Sequence, residues 1–237
     1  DLPKRIGQPV AADLICGSSV GAINGAAIGA WNGSAEGPEV LSKFWTSLAC
    51  SDVYRFVALD LLRSPMRVLR GPSSSDMAWV DARPLHALIR ETFPWAKLRQ
   101  SIDSGRLLAL VLTATEISTG RCIQFIDGNI DPTSLDDHTG IRRAFTPVGP
   151  EHVLASCAIP FLFPPVEING QAMVDGSLRQ NTPLSPALRL GADHVLVVGT
   201  RRPRSEVAAS EGSATPSTPT RLPTARRSVI PSRCTTR

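Results

Sequence analysis

The five residues Gly17-Ser18-Ser19-Val20-Gly21 constrain this chain more than any other stretch. They follow the short apolar run "ADLIC" and lead into "SVGAINGAAIGAW", a helix-length segment of small apolar residues. This is a G-x-S-x-G pattern in the context that gives it meaning, a strand, a tight turn and a helix. Such a turn holds its serine in a strained backbone geometry, clear of the sheet. Gly17 and Gly21 are expected at positions where a Cβ would strike the neighbouring strand or helix. The helix aims its N-terminus at Ser19, so the Val20 backbone amide can donate to a developing oxyanion. A plain glycine-rich helix start is the competing reading. The strand before and the helix after favour a nucleophile.

The second chemical feature is Asp175-Gly176 in "INGQAMVDGSLRQNTPL". An isolated Asp-Gly is ordinarily a turn. Here it follows Met173 and Val174 and precedes a helical pattern, which puts the carboxylate at the end of a strand. An aspartate there can take the Ser19 proton directly, provided its surroundings raise its basicity toward neutral pH.

The body reads as α/β. "RLLALVLTATEI" is a strand-rich run, "STGR" a turn and "CIQFI" its partner strand, while "PEHVLASCAIP" reads as a helix closed by Pro160. "LSPALRLGA" is helix-like, and "DHVLVVGT" reads as a further apolar strand. Continuous apolar strands are buried on both faces, which points to helices covering a mainly parallel sheet. "DARPLHALIRETFPW" predicts a helix with Pro84 in its first turn, burying Leu85, Leu88 and Ile89. "YRFVALDLLRSPMRVLRGP" (54–72) mixes apolar residues with arginine. It suits either an anionic lipid interface or a cap over the cleft, and the cap is the preferred reading.

Charge and cysteine content narrow the function classes. The chain carries +4 overall, but residues 201–237 hold eight arginines against Glu206 and Glu211, a net of +6, which leaves 1–200 at −2. The basic character belongs to a Ser/Thr/Pro/Arg-rich tail that is expected to be disordered, so no nucleic-acid partner is expected. Cys16, Cys50, Cys122, Cys157 and Cys234 form no C-x-x-C pair and are odd in number, which fits a reducing compartment such as the cytoplasm. The four histidines show no ligand spacing, so no metal is expected. Neither a signal-peptide h-region nor an apolar run of about 18 residues occurs.

"CGSSVGAINGA", "LTATEISTGRCIQF" and "ASCAIPFLFPPVEINGQAMVDGSLRQNTPLSPALRLGADHVLVV" together resemble the patatin-like phospholipases, in order and spacing, over roughly residues 8–200. The resemblance implies a three-layer α/β/α sandwich in 1–200, with 201–237 as a separate tail. It also implies a lipid acyl hydrolase of phospholipase A type, with Ser19 as nucleophile, Asp175 as base and no cofactor. Ser18 stands where threonine is common in the family, and Ser177 where a second glycine often follows Asp-Gly. Family members also carry an upstream strand and a glycine-rich oxyanion loop, and no Gly-Gly-Gly cluster occurs in 1–237. On this reading the N-terminal strand and the oxyanion donors other than Val20 are missing, and the chain's activity is in doubt. Partners are then a lipid or acyl-ester substrate and a peripheral membrane contact.

Two alternatives stand beside the dyad. One is a catalytically inactive lipid- or protein-binding fragment. The other is a Ser19–Asp175–His194 triad in the chain order of α/β-hydrolases. His194 opens the run after "GAD", an ordinary place for a polar residue, which favours the dyad. His152 is expected at the surface, and Cys16 as a small buried hydrophobe. Asn24, one turn into the elbow helix, suits either a hydrogen bond near the site or helix packing.

Overall fold

The computed structural model describes residues 11–56, 80–135 and 140–199. The tail 201–237 and most of the 54–72 segment lie outside the described residues. The first strand, β1 (Leu14–Ser18), runs directly into helix α1 (Val20–Ala30). That helix buries Ala22, Ala26 and Ala30, spaced four apart on one face, together with Ile23. Small side chains let it lie close to the sheet, and a Cβ on Gly25 would stand 3.1 Å from Ile15 Cγ2.

Helix α2 (Gly37–Ser47) and the single turn α3 (Cys50–Val53) lead to β2 (Arg55–Phe56), which pairs with β3 (Val80–Asp81) in a two-stranded ribbon. Helices α4 (Arg83–Thr92) and α5 (Trp95–Asp103) follow. Pro84 sits in the first turn of α4, which buries Leu85 and Ile89 and leaves Leu88 half-buried.

The central strand is β4 (Ala109–Glu116), buried along its whole length, as a continuous apolar run predicts. A turn through Gly120, at φ 64°, closes it into a hairpin with β5 (Cys122–Gly128). Strand β6 (Ile141–Phe145) follows, and then helix α6 (Pro150–Ser156), which stops at Cys157 rather than at Pro160. The remaining elements are β7 (Val166–Ile168), β8 (Gln171–Asp175), the short α7 (Ser177–Gln180) and α8 (Leu184–Arg189).

The six-stranded sheet runs β6-β5-β4-β8-β7, with β1 also on β4. β1–β4 and β5–β6 are parallel, and β4–β5, β4–β8 and β7–β8 are antiparallel. The α/β class and its layers hold, but the expectation of a mainly parallel sheet is corrected: the sheet is mixed, with antiparallel pairs on both sides of β4. Hairpin strands covered on both faces read in sequence like parallel ones. One face packs α1, α4, α5 and α6 against Leu110, Leu112 and Ile123. On the other, Val111, Ile126 and Leu135 form a smaller cluster with Cys16 and Leu190.

Two further expectations are corrected. Residues 194–199 form no strand, and Val195 to Val198 are exposed. An apolar run becomes a strand only where a neighbour takes up its backbone hydrogen bonds, and among the described residues none does. His152 is buried, not superficial. Its Nδ1 accepts the Gly149 N–H at 3.0 Å at the start of α6, and its ring meets Phe125 edge-on at 4.6 Å between centroids.

Candidate active site

Ser19 occupies the turn between β1 and α1 with φ 54° and ψ −128°, a left-handed conformation that costs a residue with a Cβ about 1–3 kcal/mol. The room for this turn comes from Gly17, where a Cβ would lie 2.3 Å from the Gly21 carbonyl oxygen. Gly21 does not share that role. A Cβ there would meet nothing within 4 Å, so the steric demand expected at both glycines falls on Gly17 alone.

Asp175 ends β8, 2% exposed. Its Oδ1 accepts the Ser177 N–H at 2.7 Å, and its Oδ2 accepts the Ser19 hydroxyl at 2.5 Å. Gly176 is required beside it, because a Cβ would stand 2.2 Å from the Thr113 carbonyl oxygen. Thr115 Oγ1 donates to the Asp175 carbonyl at 3.0 Å and holds the end of the strand.

One edge of β4 brings the two residues together. Ser18 pairs with Thr113 in the parallel β1–β4 ladder, and Asp175 pairs with the next residue, Ala114, in the antiparallel β4–β8 ladder. β5 covers the opposite edge of β4 from Ala109 to Thr115. The end of β1 and the end of β8 therefore meet over consecutive residues of one strand. Val20, next to Ser19, is the first residue of α1, where backbone N–H groups have no carbonyl of their own helix to bond.

The other candidates fall elsewhere. Asn24 Oδ1 accepts from Trp45 Nε1 at 2.7 Å, so it fastens α2 onto α1. Cys16 is half-buried against Val111 and Ile126, and burial pushes its thiol up to about 11, which suits a packing role. His194 is exposed in the irregular segment after α8, and among the described residues no hydrogen bond joins it to Ser19 or Asp175. Ser156 and Cys157, to which the sequence assigns no role at the site, both bond to Ser19. Its N–H donates to Ser156 Oγ, and its carbonyl accepts from Cys157 Sγ. No local pattern marks them, because their partner lies 137 and 138 residues away.

Among the described residues no helix is long and apolar enough to cross a membrane. Residues 6–188 match the family model described as patatin-like phospholipase. That span contains the elbow, β4, β5 and the Asp175 strand, and it covers well over half of the sequence. The chain belongs to the patatin-like phospholipases, a family of hydrolases acting on lipid esters.

Proposed function

We propose that this chain hydrolyses carboxylic esters of lipids with a Ser19–Asp175 dyad. The observation that carries this reading is the 2.5 Å hydrogen bond from Ser19 Oγ to Asp175 Oδ2 at the N-terminus of α1. Ser19 Oγ attacks the ester carbonyl carbon while its proton passes to Asp175 Oδ2. The tetrahedral oxyanion faces the Val20 N–H, a fixed donor whose loss typically costs about 10²–10³ in rate. Collapse expels the alcohol, which leaves with the proton from Asp175. Water then gives a proton to Asp175 and attacks the acyl-Ser19 carbonyl, and collapse releases the fatty acid as that proton returns from Asp175 to Ser19 Oγ. Buried and hydrogen-bonded through both oxygens, Asp175 takes up and gives back one proton in each half-reaction, so the dyad needs no imidazole.

The rim of the site suits a lipid surface. Val20, Ile159 and Leu178 are exposed, and each lies within three residues of Ser19, Cys157 or Asp175. Phe161 is 76% exposed with φ 67°, an unfavourable conformation for a bulky residue. Large apolar groups exposed on the segments that flank the site residues in sequence suit contact with acyl chains.

The test is turnover of p-nitrophenyl butyrate and of phospholipid vesicles by the full chain. A fluorophosphonate probe reports Ser19 independently. Ser19→Ala is expected to abolish turnover, Asp175→Asn to lower it about 10²–10⁴-fold, and His194→Ala to keep most of it. A loss with His194→Ala as deep as with Ser19→Ala, in a folded protein, would hand the chemistry to a triad. Phe161→Ser should lower turnover of vesicles and spare the soluble ester. Equal effects on both substrates would remove the lipid-surface reading.

A further inference from the structure

Ser19 is held in its strained conformation from outside its own turn. Its N–H donates to Ser156 Oγ at 3.0 Å, and its carbonyl accepts the Cys157 thiol at 3.1 Å as well as the Ala22 N–H at 2.7 Å. The same three-residue stretch at the end of α6 also grips the other half of the site. The Asp175 N–H donates to the Ala158 carbonyl at 2.9 Å, and the Gly176 N–H to the Ser156 carbonyl at 3.3 Å. Ser156, Cys157 and Ala158 are all buried.

We propose that Ser156 and Cys157 are positioning residues for the nucleophile: together they set the Ser19 peptide planes and so aim its hydroxyl at Asp175. The kinetic part of this inference rests on the hydrolase reading above, while the structural part does not. A left-handed serine persists only where its surroundings over-determine it. Ser156 takes the amide on one side of its Cα, and Cys157 takes the carbonyl on the other, so both rotations that place Oγ are restrained. The main-chain bonds of the same stretch hold the Asp175 strand in register with them. Burial, with the Asp175 carboxylate nearby, pushes the Cys157 thiol well up, so it stays an S–H donor and does not become a competing thiolate nucleophile. Neither side chain needs to touch substrate.

Ser156→Ala, Cys157→Ala and Cys157→Ser in the full chain test the proposal. Each alanine is expected to lower kcat about tenfold to a hundredfold, the usual scale for a misplaced reacting group, with KM within about twofold of wild type. Cys157→Ser, which keeps a donor, is expected to recover most of the Cys157→Ala loss, although both remove the sulfur. General loosening of the core would not give that split or that rescue. Amide hydrogen exchange over 17–22 supplies the arm that needs no activity. Ser156→Ala is expected to speed exchange of the Ser19 amide by at least about tenfold at unchanged global stability. Alanine variants with wild-type kcat, or unchanged exchange at Ser19, would overturn the proposal. Absence of Ser19-dependent turnover in the wild type would instead sink the hydrolase reading and leave exchange to decide the clamp.

Discussion

Ser19 Oγ lies 2.5 Å from Asp175 Oδ2 although 156 residues separate them in the chain. The contact exists because β4 pairs its consecutive residues Thr113 and Ala114 with Ser18, just before Ser19, and with Asp175 itself. Asp175 Oδ1 is already taken by the Ser177 amide, so only Oδ2 faces the hydroxyl.

Residues that act as one unit lose their effect together. Asp175→Asn keeps the shape of the side chain and removes its capacity to hold a proton. The expected loss in kcat is about 10²–10⁴, with KM little changed. The double variant Ser19→Ala/Asp175→Asn should be no slower than Ser19→Ala alone. Multiplying losses in steady-state assays would mean that the two do not share one proton transfer.

The glycines of the elbow should separate sharply in stability. Gly17→Ala places a Cβ 2.3 Å from the Gly21 carbonyl oxygen and 2.9 Å from Ala22 Cα, both main-chain atoms that cannot step aside cheaply. A loss of about 1–3 kcal/mol is expected. Gly21→Ala meets open space inside α1 and should be neutral or stabilising by up to about 1 kcal/mol. Urea unfolding of both variants checks this, and equal midpoints would contradict the geometry.

Acid should weaken the fold through His152. Burial lowers its pKa and outweighs the Glu151 and Asp127 carboxylates, which favour the charged ring. Glu151 Oε1 stands 3.2 Å from Nδ1, but that contact is an ion pair only for a protonated ring, and the neutral ring uses Nδ1 to accept from Gly149. The unfolded chain takes up this proton near pH 6.5, the native chain only at lower pH. The contribution is thus complete above about pH 6.5 and is lost as pH falls through the native pKa. From pH 7 down to about pH 5, wild-type stability should fall more than that of His152→Gln. His86, also lowered by burial and by Arg90, titrates in both proteins and cancels. Parallel curves from chemical denaturation would contradict this account.

Leu196 and Val198 are 72% and 87% exposed in an irregular segment, and among the described residues β1 pairs with β4 alone. Exposed apolar runs and free strand edges both promote association. Leu196→Lys with Val198→Asp should slow aggregation, measured by light scattering, and leave the unfolding free energy within about 0.5 kcal/mol of wild type. A drop of several kcal/mol would show that this segment packs against the domain.

Much of this molecule is written locally. Gly17 to Gly21 announce the turn because glycine, serine and a small-residue helix have few other uses after an apolar strand. Ala109–Glu116 and Cys122–Gly128 announce a hairpin because a turn through Gly120 joins two apolar runs. Asp175-Gly176 marks the end of a strand, and the family can be read from these blocks taken in order. Other features arise only between distant parts of the chain. The sheet is mixed, His152 is buried and 194–199 is no strand, because pairing partners and covering layers are not neighbours in sequence. The same holds for the site. Whether Asp175 reaches Ser19, and whether Ser156 and Cys157 hold Ser19 in place, depends on the register of β1 and β8 along one edge of β4. The hydrogen bonds that Ser19 then makes to Ser156, Cys157 and Asp175 join residues 137, 138 and 156 positions apart, a relation that no local pattern of side chains encodes.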